Sequence, residues 1–310
     1  MAIKKKSSSK KISLRKIVKA VVTVSLCIQL AFVIYFFFKV TEYMPDGNTA
    51  KIKLIISLVV FAAILFAYFK WLRKNKTINK MANICFRFIL YLHAFTLVYI
   101  VILKWINPPV TITQLTNLVN GNGLKRDYVS FNHISYNAKL SVISSEDQLY
   151  PDHNGFDWNA IKKSITPSTK KRNKKKKLPP GAGASTISQQ VAKNVFLWQG
   201  KSYIRKGLEA YYTFMIENIW GKKRILDVYL NCIEMGKGIF GIEAASQSYF
   251  NKPASQLTRQ EAALITACFP NPKIYSAKPV SAFVAYKSGW VMSQMNNIED
   301  DEDIQDLIKN

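Results

Sequence analysis

The 310-residue sequence is short of acid, of histidine and of paired cysteine. Its 19 Asp and Glu face 44 Lys and Arg, a formal charge of +25. Four cysteines (Cys27, Cys85, Cys232, Cys268) lie far apart with no CxxC pair, which excludes a zinc ribbon and a disulfide scaffold. Three histidines are too few for a His-rich metal centre. Charged residues are only 20% of the chain against 49% hydrophobic, so the basic excess is not that of a disordered polycation. No run alternates well enough for a large sheet.

Long apolar runs, by contrast, are present. Ala20–Phe38 is uncharged for 19 residues, and Leu54–Phe69 and Phe88–Leu103 for 16 each. A bilayer core takes about 20 mostly apolar residues, so spans are predicted near 20–38, 54–72 and 86–105. Lys and Arg crowd residues 1–19 and the stretch from Lys70 to Arg87, whereas the intervening loop is nearly neutral. The positive-inside rule then makes 1–19 a basic cytoplasmic tail and puts everything after Trp105 outside. No small-x-small pattern closely follows Phe38, so an uncleaved anchor is expected rather than a signal peptide. Residues 1–105 hold 18 basic and 2 acidic residues, so most of the excess charge is a topological signal, not a nucleic-acid footprint.

From Ile106 to about residue 298 helical spacing dominates, as in Ile187-Val191-Val195, Ile225-Val228-Ile233 and Ala262-Ile265-Phe269, which predicts a mainly α domain. Residues 299–310 hold six acids and are expected to be an exposed acidic tail. Lys170–Lys177 reads as a solvated loop.

Three segments carry chemistry. Glu146 and Asp147 are adjacent carboxylates, a pairing that raises one pKa toward the range of a general base, although the stretch equally fits an acidic helix start or turn. Gly181–Asn194 reads as a loop feeding a helix, with Thr186 and Gln189 at capping-box spacing. Gln190, Lys193 and Asn194 share one face of that helix, a pattern that suits a sugar beside a phosphate or simply a capped surface helix. Arg205 and Lys206 stand i+4 and i+3 from Glu209, which is either an ordinary helical ion pair or a carboxylate held among cations for a pyrophosphate. Tyr229–Ala245, with Asn231, and Glu261–Pro272 read mainly as helix and turn.

Glu146–Asp157, Gly183–Asn194, Arg205–Glu209, Tyr229–Ala245 and Glu261–Pro272 together resemble, in order and spacing, the five motifs of the peptidoglycan glycosyltransferases over about residues 106–295. The resemblance implies a mainly α, lysozyme-like bilobal domain behind a membrane anchor, joining lipid II units into β-1,4 glycan strands with loss of undecaprenyl diphosphate. It makes Glu146 the general base and Glu209 the second carboxylate. It gives Lys193, Lys201, Arg205 and Lys206 to the pyrophosphate, and Asp147, Ser185, Thr186, Gln189, Gln190, Asn194 and Asn231 to substrate binding. No cofactor is obligatory, with Mg²⁺ or Mn²⁺ allowed for at the pyrophosphate. The implied partners are lipid II, the growing strand, the membrane and cell-wall synthesis or division proteins, with no nucleic acid. The implied location is the bacterial inner membrane. Ala184, Lys201, Met235 and Tyr150 stand where the family usually has Gly, Arg, Trp and Phe. Two of the three spans have no counterpart in the family's single anchor. A lytic, glycan-cleaving enzyme of the same fold and a non-catalytic cell-wall scaffold are the competing readings.

Overall fold

The computed structural model describes residues 14–44, 46–165, 184–200 and 202–309. The Lys-rich stretch 170–177 and residues 1–13 of the basic tail lie outside the described residues. The chain is mainly α. It begins with α1 (Leu14–Thr41), α2 (Gly47–Lys70) and α3 (Lys76–Leu103), each long and apolar enough to cross a membrane. These helices outrun the uncharged stretches, because charge delimits the apolar segment but not the helix. The start of α3 is set instead by Asn75, whose side chain accepts from the Thr77 and Ile78 amides.

The domain that follows comprises α4 (Ile112–Val119), α5 (Tyr136–Glu146), α6 (Trp158–Ile165), α7 (Ile187–Phe196), α8 (Tyr203–Ile219), α9 (Lys222–Cys232), α10 (Ile242–Phe250), α11 (Arg259–Ala267), α12 (Ala282–Ile298) and α13 (Glu302–Ile308). Three short strands, β1 (Lys125–Arg126), β2 (Glu234–Gly236) and β3 (Ile239–Phe240), form one small sheet in the order β1-β3-β2. The strand β3 pairs parallel to β1, with Lys125 opposite Ile239, and antiparallel to β2.

The core is built around α5. Every residue from Ala138 to Ser145 is buried, against α11, α12 and α13. Two of its three buried serine hydroxyls are paired: Ser141 Oγ with Thr266 Oγ1 on α11 at 2.9 Å, and Ser144 Oγ, which donates to the Ser141 carbonyl. A helix buried on every side has no polar face, so no 3.6-residue stripe announces it. Glu146 is its last residue, not the helix start or turn expected of that stretch.

The apolar helices are not separate from this domain. Trp220 Nε1 donates to the Ile100 carbonyl at 2.8 Å, and the Arg224 guanidinium donates to the carbonyls of Leu103 and Ile106. A fixed cation thus meets the free carbonyls at the C-terminus of α3. The second half of α1 lies along α8 and α6: Phe32 stacks on Phe214 with ring centroids 4.3 Å apart, and Phe36 is buried against Phe156 and Trp158. Gly207 permits the close approach, since a Cβ there would stand 3.1 Å from Phe37 Cε2.

The last segment departs from expectation. Residues 302–308 form α13, whose Ile304 and Ile308 are each 1% exposed, and Lys139 Nζ donates to the Ile308 carbonyl. Six acids in twelve residues suggest an exposed tail, but two isoleucines four apart give the helix a docking edge. Ile304→Ala is expected to cost about 2–4 kcal/mol, read as a lowered Tm of the purified protein; an unchanged Tm would mean that α13 contributes no packing.

Candidate active site

The site forms where the C-terminus of α5 meets the N-terminus of α7. Thr186 caps α7 and accepts from the Gln189 amide at 3.2 Å, while Gln189 Oε1 accepts from the Thr186 amide at 3.1 Å, the reciprocal box its spacing predicts. Thr186 Oγ1 also donates to the Gly155 carbonyl at 2.7 Å. Gly155 has φ +84°, and a Cβ there would fall 2.7 Å from Thr213, so this turn is closed to larger residues. Asp147 spans the junction: Oδ2 accepts from the Ile187 amide at 2.9 Å, and Oδ1 lies 2.9 Å from His153 Nε2.

Glu146 points into the space beside α7. Gln190 Nε2 donates to its Oε2 at 2.8 Å, and Tyr229 Oη donates to Gln190 Oε1 at 3.2 Å. The buried tyrosine thereby fixes which end of the Gln190 amide faces the carboxylate. Burial pushes the Glu146 carboxyl above its ordinary value and Asp147 adds to the rise, against the Gln190 bond and the charge of buried Lys287 on α12.

The second group sits on α8. Glu209, 2% exposed, accepts from Arg205 Nη1 at 2.7 Å and from Lys206 Nζ at 2.5 Å. Both of its oxygens are therefore engaged by cations. Lys193 on α7 interacts electrostatically with Glu209 and with Glu146, and burial lowers its ammonium pKa from the ordinary lysine value. The two carboxylates are thus linked through one cation.

Beyond Lys193 and Asn194 the space continues as a cleft of about 450 Å³ between α4, α7 and the Phe269–Pro272 turn. Thr113, Asn117, Asn120 and Gln199 line it with hydroxyls and amides, beside the ring of Phe269. Such a lining suits a sugar, which presents hydroxyls at its rim and an apolar face.

The structure brings together Glu146, Gln190, Lys193, Asn194, Arg205, Lys206 and Glu209. Ser185 stands at the lip of α7, its carbonyl within 3.5 Å of Gln190 Nε2. Lys201 lies outside the described residues. Four others, Asp147, Thr186, Gln189 and Asn231, are buried and bonded to the protein itself, although Gln189 Nε2 is left without a hydrogen-bond partner. Asn231 ties the α9 C-terminus to the Val129 backbone at 3.0 and 3.1 Å and to Asp227. The sequence reading missed Tyr229 as a support for Gln190, Lys287 behind Glu146, and the α4 amides; nothing local in the sequence marks that they converge. Each Glu209 oxygen is engaged by a cationic side chain, and no group of three His, Cys, Asp or Glu that could hold a metal occurs among the described residues.

Residues 112–296 match the transglycosylase family model. The chain belongs to the transglycosylase family. It is 54% identical over 172 residues, 56% of this chain and 68% of the relative, to a biosynthetic peptidoglycan transglycosylase of Mannheimia succiniciproducens. Proteins of the same name from Shigella boydii and Escherichia coli are each 50% identical over 169 residues, 54% of this chain and 67% of theirs. The matched domain is a glycosyltransferase of peptidoglycan synthesis with no transpeptidase motif within it. The match begins beyond α3, so α1 and α2 precede the family domain.

In this transglycosylase domain Asp147 ties the end of α5 to the start of α7 and to His153. Asp147→Ala strands the Ile187 amide and His153, and is expected to lower stability by about 1–3 kcal/mol. The readout is Tm without any substrate; a side chain that met substrate alone would leave it unchanged.

Proposed function

We propose that this transglycosylase polymerises lipid II, with the growing strand as donor, and that the pairing of a recessed Glu146 with a separate cation-saturated Glu209 is what performs the transfer. The acceptor's sugar 4-hydroxyl gives its proton to Glu146 as its oxygen bonds to the anomeric carbon of the donor. The bond from that carbon to the pyrophosphate breaks, with inversion, and undecaprenyl diphosphate leaves as an anion. An alcohol is a poor nucleophile and needs a base, whereas a pyrophosphate is a good leaving group and needs neutralisation more than a proton. Arg205, Lys206 and Lys193 supply the charge, and Glu209 holds the first two in place. The amide-lined cleft beyond Asn194 accommodates glycan. Lys201 belongs to the same basic group by sequence.

On the charge pattern, residues 1–19 are cytoplasmic, α1 to α3 cross the inner membrane, and the domain from 106 onward stands outside, next to its lipid-anchored substrate.

The test is polymerisation of fluorescent lipid II by the full chain in detergent. Glu146→Gln is expected to lose about 10²–10⁴-fold in rate, with wild type yielding long polymer. Shortening of preformed glycan in place of polymer would make the enzyme lytic, and inactivity in both assays would make it a scaffold. A pH profile tests the base separately. Glu146 must be ionised to act, so the rate rises with pH through its raised pKa. Gln190→Leu removes a bond that favours the ionised form, so the acid limb is expected to move to higher pH; a limb that stays put would exclude Glu146 as the base.

A further inference from the structure

The first halves of α1 and α3 enclose a groove of about 690 Å³ that the glycosyltransferase chemistry does not use. On α1, Arg15, Lys19 and Val22 follow one another at i, i+4 and i+7, with Lys16 and Val18 beside them. On α3, Arg87, Leu90, Tyr91 and Ala94 hold the same kind of face. No acidic residue lines the groove, and none occurs in the sequence before Glu42 or between Lys70 and Leu103. Among the described residues, no hydrogen bond or ion pair engages the side chains of Arg15, Lys16, Lys19 or Arg87.

A polar contact sets the register of the two helices. His93 Nε2 lies 3.3 Å from Ser25 Oγ, while its Nδ1 lies 2.6 Å from Tyr211 Oη on α8. The opposed stretches Leu14–Val22 and Arg87–Ala94 show that α1 and α3 run in the same sense. Lys19 is six residues before Ser25, and Arg87 is six before His93, so both cations stand about 9 Å along their helices from that contact. They sit at one level, and each immediately precedes its uncharged run. The groove is therefore cationic at one end and apolar along its floor, where Val22 and Leu90 are buried.

We propose that this groove is a binding site for an anionic phospholipid, whose phosphate lies between Lys19 and Arg87 and whose acyl chain lies along Val22, Leu90 and Ala94. Charge complementarity selects the headgroup: cations held without a counter-ion at a bilayer edge favour a net negative lipid over a zwitterionic one. Length and polarity select the rest, since a buried apolar floor continues from the cations into the hydrocarbon level. The lipid-linked substrate is not the occupant, because the groove lies at the basic ends of α1 and α3, below the Ser25–His93 contact, whereas the catalytic groups lie on α5, α7 and α8. The proposal does not depend on Glu146 or on the transfer reaction.

The test is titration of the full chain in non-ionic detergent with fluorescent phosphatidylglycerol and, separately, with phosphatidylcholine of the same acyl chains. Wild type is expected to prefer phosphatidylglycerol at low salt and to lose the preference as ionic strength rises. Lys19→Gln with Arg87→Gln is expected to weaken phosphatidylglycerol alone, by about fivefold per cation or about 25-fold for the pair. Arg73→Gln with Lys74→Gln, basic positions in the α2–α3 turn outside the groove, is expected to bind as wild type does. Val22→Trp, which fills the floor, is expected to weaken both lipids. Equal binding of the two lipids by wild type, or equal loss in the Arg73/Lys74 pair, would overturn the site.

Discussion

Two carboxylates stand at the C-terminus of α5, where the helix's own dipole is negative and opposes them. The rest of the site depends on how that conflict is met. Asp147 turns to the opposite pole of another helix and takes the free Ile187 amide at the start of α7. With one carboxylate spent on the junction, α7 is held so that Gln190, four residues in, reaches the other. The like charge that raises Glu146 and the tie that positions α7 are the same residue acting through different atoms. Adjacent acids at a helix end would be a liability elsewhere; here one stabilises the scaffold and the other keeps a raised pKa.

The helix α8 serves two masters on opposite faces. One face carries the ion-paired Arg205, Lys206 and Glu209, and the other lies under α1 at Gly207, Ala210 and Phe214. A helix that carries three tightly paired charges at a partly dry surface needs its axis fixed, because a small rotation would uncover the buried Glu209 without its partners. In this chain that fixing comes partly from the aromatic side of α1. The helices preceding the family domain are thus packed into the support of its basic cluster, which gives them a structural place that motif comparison cannot supply.

How much of this was legible in the sequence follows from which signals are local. The capping box at Thr186 and Gln189, the i+3 and i+4 pairs to Glu209, and the three apolar helices depend on neighbours within one or two turns, and all are present as spaced. The helix α5 has no amphipathic stripe because it is buried all round, and α13 hides a docking edge inside an acidic run. Asp147, Asn231 and Gln189 were expected at the substrate because polar residues within functional motifs read as contacts. What spacing does not reveal is burial: Asp147, Asn231 and the Gln189 carbonyl oxygen are bonded within the fold, and only Gln189 Nε2 is left unpartnered. Tyr229, Lys287 and the α4 amides converge from 39 to more than a hundred residues away in the chain, a distance over which no spacing rule operates.

The division of labour between the two acids follows from what surrounds each. Glu209 is saturated by two cations and has no oxygen left to take a proton from a substrate. Glu146 accepts from the neutral Gln190 amide, with burial raising its proton affinity. Proton acceptance requires a free lone pair and a raised pKa, and charge organisation requires neither. In the proposed transfer the cations gathered on α7 and α8 would stabilise a departing anion, whereas a sugar leaving group would require a protonated carboxyl as general acid. Lys193 marks the boundary between the two halves, since it feels both carboxylates and its burial makes its charge effective over that distance.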